Sequence, residues 1–143
     1  MPGAYNIDPH RHLVLSRGWG VVTNDDFMVH ARELTEDPRF QPTFSQLSDL
    51  RDAERLELDT FTVRRLAAIS PFGAGSRRAL VVSSDLAFGM ARMFQTLREG
   101  NGEELQVFRD IDAALDWLGL AAEKDAVIAQ LPTGPGVPPG ADR

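Results

Sequence analysis

His10 and His12 stand two apart in DPHRH, and in extended backbone that spacing turns both imidazoles to one face, as half of a metal site. No third histidine or carboxylate is spaced to complete the set, so the pair reads as turn histidines and no metal is expected. The chain has no cysteine, which removes thiolate ligands, disulfides and thiol catalysis. No GxSxG elbow offers a serine nucleophile. SPFGAGSRR, residues 70–78, has the small residues of a phosphate loop, yet it precedes a strand and lacks GK[ST]. No helix dipole would then converge on a phosphate. GWG at 18–20 is no dinucleotide fingerprint either. Asp49, Asp52, Glu54 and Glu57 gather near a strand end, where α/β proteins place sites. With no base and nucleophile paired to them they read as a solvated acidic loop. His30 flanks an apolar helix stripe and reads as a partly buried core histidine. Thr60 and Thr62 sit at a helix start. Phosphate added at Thr60 would be favoured by the helix dipole and opposed by Asp59, which makes Thr60 a weak phospho-acceptor candidate. This inventory contains no catalytic set, so neither an enzyme nor a cofactor is expected.

With 143 residues, 43% of them apolar and 25% charged, the chain suits one domain with its own core. A net charge of −6 and the lack of any dense basic run disfavour a nucleic-acid partner. Lys124 is the only lysine; the remaining positive charge is arginine, suited to planar contacts with carboxylate or phosphate. No stretch approaches the roughly 18–20 apolar residues of a membrane span. MPGAYNIDPHRH has no basic region followed by an apolar run, as a secretory signal would. The expected location is the cytoplasm, in keeping with the missing cysteines.

The elements that must position any site follow from periodicity and caps. AYNID at 4–8 and RHLVLSR at 11–17 predict a β-hairpin turned by Asp8-Pro9-His10, with Gly18 and Gly20 loosening the chain after it. Thr23 caps a first helix whose stripe is Phe27, Ala31 and Leu34, ended by Pro38. FSQLSDL, 44–50, predicts a strand of imperfect alternation. Asp59 caps a second helix with Val63, Leu66, Ala67 and Ser70 inward. RRALVVS, 77–83, is the cleanest strand, apolar on both faces. A helix over about 85–98, a strand at 104–108 and an Asp110-capped helix bearing Ile111, Ala114, Leu115 and Leu118 complete the pattern, with a short helix expected within 122–131. The order β-β-α-β-α-β-α-β-α predicts an α/β fold: a single mixed, mostly parallel sheet flanked by helices. One domain is expected over 1–131, with PTGPGVPPGADR, 132–143, as a disordered Pro/Gly-rich tail.

At ~100° per residue, Leu86, Met90, Met93 and Leu97 of the third helix share one side, which predicts the buried stripe. Phe88 then points outward with Arg92, and Gly89 sits at the stripe's edge, where its small size suits a packed helix or a contact site. In the second helix Phe61 projects away from the inward face beside Arg64 and Arg65, and Phe72 follows in the loop. Aromatic rings beside arginines are the composition of interface hot spots. Phe61, Arg64, Arg65, Phe72, Phe88, Gly89 and Arg92 are therefore the expected partner-binding residues.

VVSSDLAFGMARMF followed by VFRDIDAALDWLG resembles the SpoIIAA-like family of small bacterial proteins, grouped with STAS and CRAL-TRIO type domains. The resemblance extends to about residue 120 and includes YNID, SQLSDLRDA and RRALVV. It implies a mixed sheet flanked by helices and brings no settled enzyme activity. STAS relatives that antagonise anti-sigma factors carry an Asp-Ser-Ser-Gly turn whose second serine is phosphorylated. The matching stretch here is Asp59-Thr60-Phe61-Thr62, with Phe61 at the acceptor position and no glycine, so that switch is not implied. CRAL-TRIO relatives enclose lipids, which implies a second possibility. The expected function is non-catalytic, regulatory binding through protein contacts, as a homodimer. The alternative is a carrier or sensor of a lipid-like, apolar or amphipathic molecule held near Gly89, with Met90 and Met93 lining its site.

Overall fold

Asp8 organises the first turn, where its Oδ1 accepts from the amides of His10 and Arg11 at 3.0 and 3.2 Å. The strands it joins are β1 (Gly3–Asp8) and β2 (Leu13–Thr23), paired antiparallel. Burial works against the Asp8 carboxylate, but hydrogen bonds from Gln130 and Arg11 more than offset it and hold its pKa down at about 2. This computed structural model describes residues 3–133.

β2 does not stop at the glycines. It runs on through Gly18-Trp19-Gly20 with two register irregularities, and Gly20 takes a φ of +65° that favours glycine. Its parallel partner β3 spans Ser45–Glu57, pairing as far as Thr23 with Glu57. The acidic segment expected as a loop is therefore strand. Asp49 is fully buried with Arg51 at 2.9 Å, whereas Asp52, Glu54 and Glu57 are exposed. β4 (Arg77–Val81) pairs β3 only over Gln46–Asp49, so the later half of β3 can carry charge into water. β5 (Glu104–Phe108) closes the order β1-β2-β3-β4-β5, parallel from β2 onward.

The helices begin at side-chain caps. Thr23 and Asp26 form a reciprocal capping box for α1 (Asn24–Glu36). Asp59 caps α2 (Thr60–Ile69), Ser84 caps α3 (Asp85–Leu97) and Asp110 caps α4 (Ile111–Trp117). A single 3₁₀ turn leads into α5 (Lys124–Ile128). A sheet that grows in one direction, with crossovers of one hand, places its crossover helices on one face. α1, α2 and α3 accordingly share a face, while α4 and α5 cover the other with Ile111, Leu115 and Val127 packed on Leu15, Leu47 and Val81. Leu131 and Pro132 are buried at the end of that layer, and the Pro132 carbonyl accepts from Arg17 Nη1 at 3.2 Å. The remainder of the Pro/Gly-rich segment, 134–143, lies outside the described residues.

α3 is rotated from the expected phase. Ala87 and Ala91 are buried against Leu80, Val82 and Leu105, with Phe88 and Phe94 flanking them. Leu86 and Leu97, expected inside, are 58% and 38% exposed. Two alanines a turn apart let the helix backbone sit close to β5, where Gln95 Nε2 donates to the Leu105 carbonyl at 2.6 Å. Larger side chains carry more hydrophobicity but would hold the helix away. Gly89 is exposed, and a Cβ placed there meets no atom within 4 Å, so close packing does not explain it. Gly89→Ala is expected to raise stability by about 0.5–1 kcal/mol in urea unfolding.

Candidate functional site

Alternation turns Ser16 of β2, Gln46 and Ser48 of β3, and Arg78 of β4 toward α1–α3, at positions where a sheet interior is normally apolar. Gln46 lies beside Arg78 in the register and Ser48 beside Ser16. The result is a polar row across the middle of the sheet.

The row has a fixed direction. Arg78 is only a donor, and its Nε donates to Gln46 Oε1 at 3.1 Å. That sets the amide, whose Nε2 donates to Ser16 Oγ at 3.0 Å. Ser16 Oγ also lies 3.0 Å from His30 Nε2, a hydrogen bond in which the direction follows the imidazole tautomer. Burial, with help from the Arg78 charge, lowers the His30 pKa to about 4. Tyr5 packs on the outer side of the imidazole, with ring centroids 5.3 Å apart. Its own hydroxyl, pushed up to about 12 by burial and by Asp37, donates to that carboxylate at 2.8 Å.

Arg78 is buried among rings and oxygens. Its guanidinium lies 4.1 Å from the Phe72 ring centroid and 5.1 Å from that of Phe94. Nη1 donates to Ser70 Oγ at 3.1 Å and lies 3.6 Å from Glu103 Oε2. Glu103 is committed elsewhere, because its Oε1 accepts from Arg98 Nε at 2.5 Å. Arg98 also donates to the carbonyls of Ala67 and Phe72, tying the end of α3 to the end of α2. Two buried guanidiniums thus share one fully buried carboxylate, whose Oε2 makes no hydrogen bond. Burial presses the Arg78 pKa down to about 10.

Above the row is space. α2 makes its close backbone approaches to α1 and α3, and a cavity of about 130 Å³ lies between it and the strands. Phe27 and Leu34 of α1, Val63 and Leu66 of α2, and Met90 and Phe94 of α3 form apolar walls; Gln46, Ser48 and Arg78 form the polar base. A second cavity of about 50 Å³ adjoins it across Phe27, His30, Ser48 and Leu50 and reaches Ser16.

Several expected site residues fall elsewhere. Phe72, expected on a contact surface, is 4% exposed, packed edge-on to Phe40 at 5.0 Å and beneath Arg78. The loop folds inward and buries the ring in a cluster with Ile7, Val14, Leu34 and Phe44. Phe88 is half-buried, with Arg109 4.7 Å and Arg92 5.9 Å from its centroid. Phe61 is 69% exposed, and Thr60, Arg64, Arg65 and Arg92 are exposed with it. Met90 lines the cavity and Met93 does not. His10 and His12 are exposed, and His12 stacks on Phe44 at 5.2 Å.

Ser16 with His30 is the one nucleophile–base contact in the site, and its geometry does not favour hydrolysis. Ser16 is 4% exposed and its oxygen already accepts from Gln46. His30 has no carboxylate partner among the described residues, and its lowered pKa makes it a weak base. Among the described residues no helix is long and apolar enough to cross a membrane.

The arrangement of strands and helices has a counterpart among solved structures. An uncharacterised protein of the DUF3478 family with a SpoIIAA-like fold, from Shewanella loihica PV-4, superposes with a TM-score of 0.54 at 21% identity. The match covers 81% of this chain and 93% of that one. The fold is SpoIIAA-like, as the resemblance implies. No family model matches the sequence, and no curated protein matches it.

Proposed function

We propose that this is a non-catalytic binding domain whose ligand is a small amphipathic molecule, carried or sensed between the sheet and α1–α3. One observation supports this above others: an apolar cavity of about 130 Å³ whose sheet side carries the buried polar groups Arg78 and Gln46. Burying a guanidinium costs several kcal/mol, and apolar residues of similar volume commonly give an equal or more stable core. An apolar body with a polar end matches such a lining, the usual make-up of a ligand site. The volume is close to the roughly 150 Å³ of an engineered cavity that takes benzene, so a body of about six carbons fits. The test is ligand-observed NMR with 1-hexanol, hexanoate and hexylamine. Saturable binding of at least one is expected, and binding of none would remove the reading.

A second reading, contact with another copy of the chain, is favoured by where the exposed apolar side chains fall. Phe61 and Ile69 on α2 and Leu86 and Leu97 on α3 are 69%, 46%, 58% and 38% exposed, and they stand on two adjacent helices. Arg64 and Arg65 on α2 and Arg92 on α3 are exposed on the same two helices, and aromatic rings with arginine are the composition of a hot spot. A dimer mass is expected by sedimentation, falling to a monomer in Phe61→Ser with the circular dichroism spectrum intact. A monomer in the wild-type protein would end this reading.

A further inference from the structure

We propose that the ligand's polar end is an anion, a carboxylate, held against Arg78; this rests on the small-molecule reading above. The charge count points there. Arg78 and Arg98 share Glu103, which gives its short contact to Arg98 at 2.5 Å and leaves Arg78 an ion pair of 3.6 Å. A buried cation is therefore under-compensated where the apolar cavity meets the sheet. Arg78 lines that cavity, and its Nη2 donates to no described residue, whereas Nε and Nη1 are occupied by Gln46 and Ser70. Those partners, with Phe72 and Phe94 against the guanidinium, hold it in one orientation and leave that edge for a carboxylate oxygen. Ser48 Oγ, also on the cavity side, has no hydrogen-bond partner among the described residues and can donate to the same group. An ammonium would meet Arg78 with like charge. A neutral alcohol would leave the cation as it stands.

The test compares three six-carbon ligands on the full chain by NMR titration: hexanoate, 1-hexanol and hexylamine. Hexanoate is expected to bind at least tenfold tighter than 1-hexanol, with hexylamine showing no saturable shift. In Arg78→Met, hexanoate affinity is expected to fall at least tenfold while 1-hexanol binding is kept, a result that also reports an intact pocket. Equal or tighter binding of 1-hexanol to the wild-type protein would overturn the carboxylate assignment and leave the amphipath reading standing. Failure of all three to bind would overturn both. Because the wild-type comparison decides the matter, it stands even if the variant does not fold.

Discussion

Glu103→Gln is expected to destabilise the protein by about 3–5 kcal/mol, read as a lower urea midpoint at unchanged slope. Glu103 is fully buried and faces Arg98 at 2.5 Å and Arg78 at 3.6 Å. A glutamine keeps the shape and one acceptor but leaves two buried cations without a counter-charge. The loss travels further than one ion pair. Arg98 also holds the Ala67 and Phe72 carbonyls, and Arg78 orients Gln46 and the row beyond it. A loss below about 1 kcal/mol would mean that water already screens the cluster, as it does for exposed pairs.

The second large effect is a pH dependence. His30 has a folded-state pKa of about 4, against 6.5 for a free histidine. Between these values the unfolded chain binds a proton that the folded protein refuses, so stability falls as pH falls. The contribution is fully present above pH 6.5 and lost by about pH 4, where the folded state also accepts the proton. At about 1.4 kcal/mol per pH unit the total is about 3 kcal/mol. Carboxylates such as Asp8, held at about 2 in the folded state, lose their contribution mainly below this window. Unfolding free energies of wild type and His30→Gln, measured from pH 7 to 4.5, are expected to diverge in slope. Parallel curves would show that His30 already takes up a proton in the folded state.

Why most of the fold was legible, and the site was not, can be read from particular residues. Thr23, Asp59 and Asp110 sit at the caps their side chains predict, and Ala79-Leu80-Val81-Val82 is a buried run. β3 is longer than its apolar part because its later half needs only β2 as a neighbour, so charge there costs little. The phase of α3 went the other way because a helix docking close to a sheet selects small residues, and hydrophobic weight favours Leu86 and Leu97 over Ala87 and Ala91. The site had a visible trace. Gln46 and Ser48 break the alternation of FSQLSDL, and Ser16 and Arg78 directly adjoin the apolar runs Leu13-Val14-Leu15 and Ala79-Leu80-Val81-Val82. What the spacing does not contain is the parallel register that sets Gln46 beside Arg78, nor Glu103, which reaches the cluster from the loop before β5. Such partners are fixed by tertiary structure alone. Phe72 belongs with them, since an aromatic in a Gly/Pro loop looks exposed until the arginine it covers is placed.

The most direct measurement is a titration of the protein carrying ¹³C-labelled methionine methyls with hexanoate and 1-hexanol. Met90 lines the cavity, while Met28 and Met93 lie outside it. A saturable shift of the Met90 methyl is expected, with Met28 and Met93 nearly still. A Met90 signal that stays fixed for both ligands, or that moves only together with Met93, would contradict binding in that cavity.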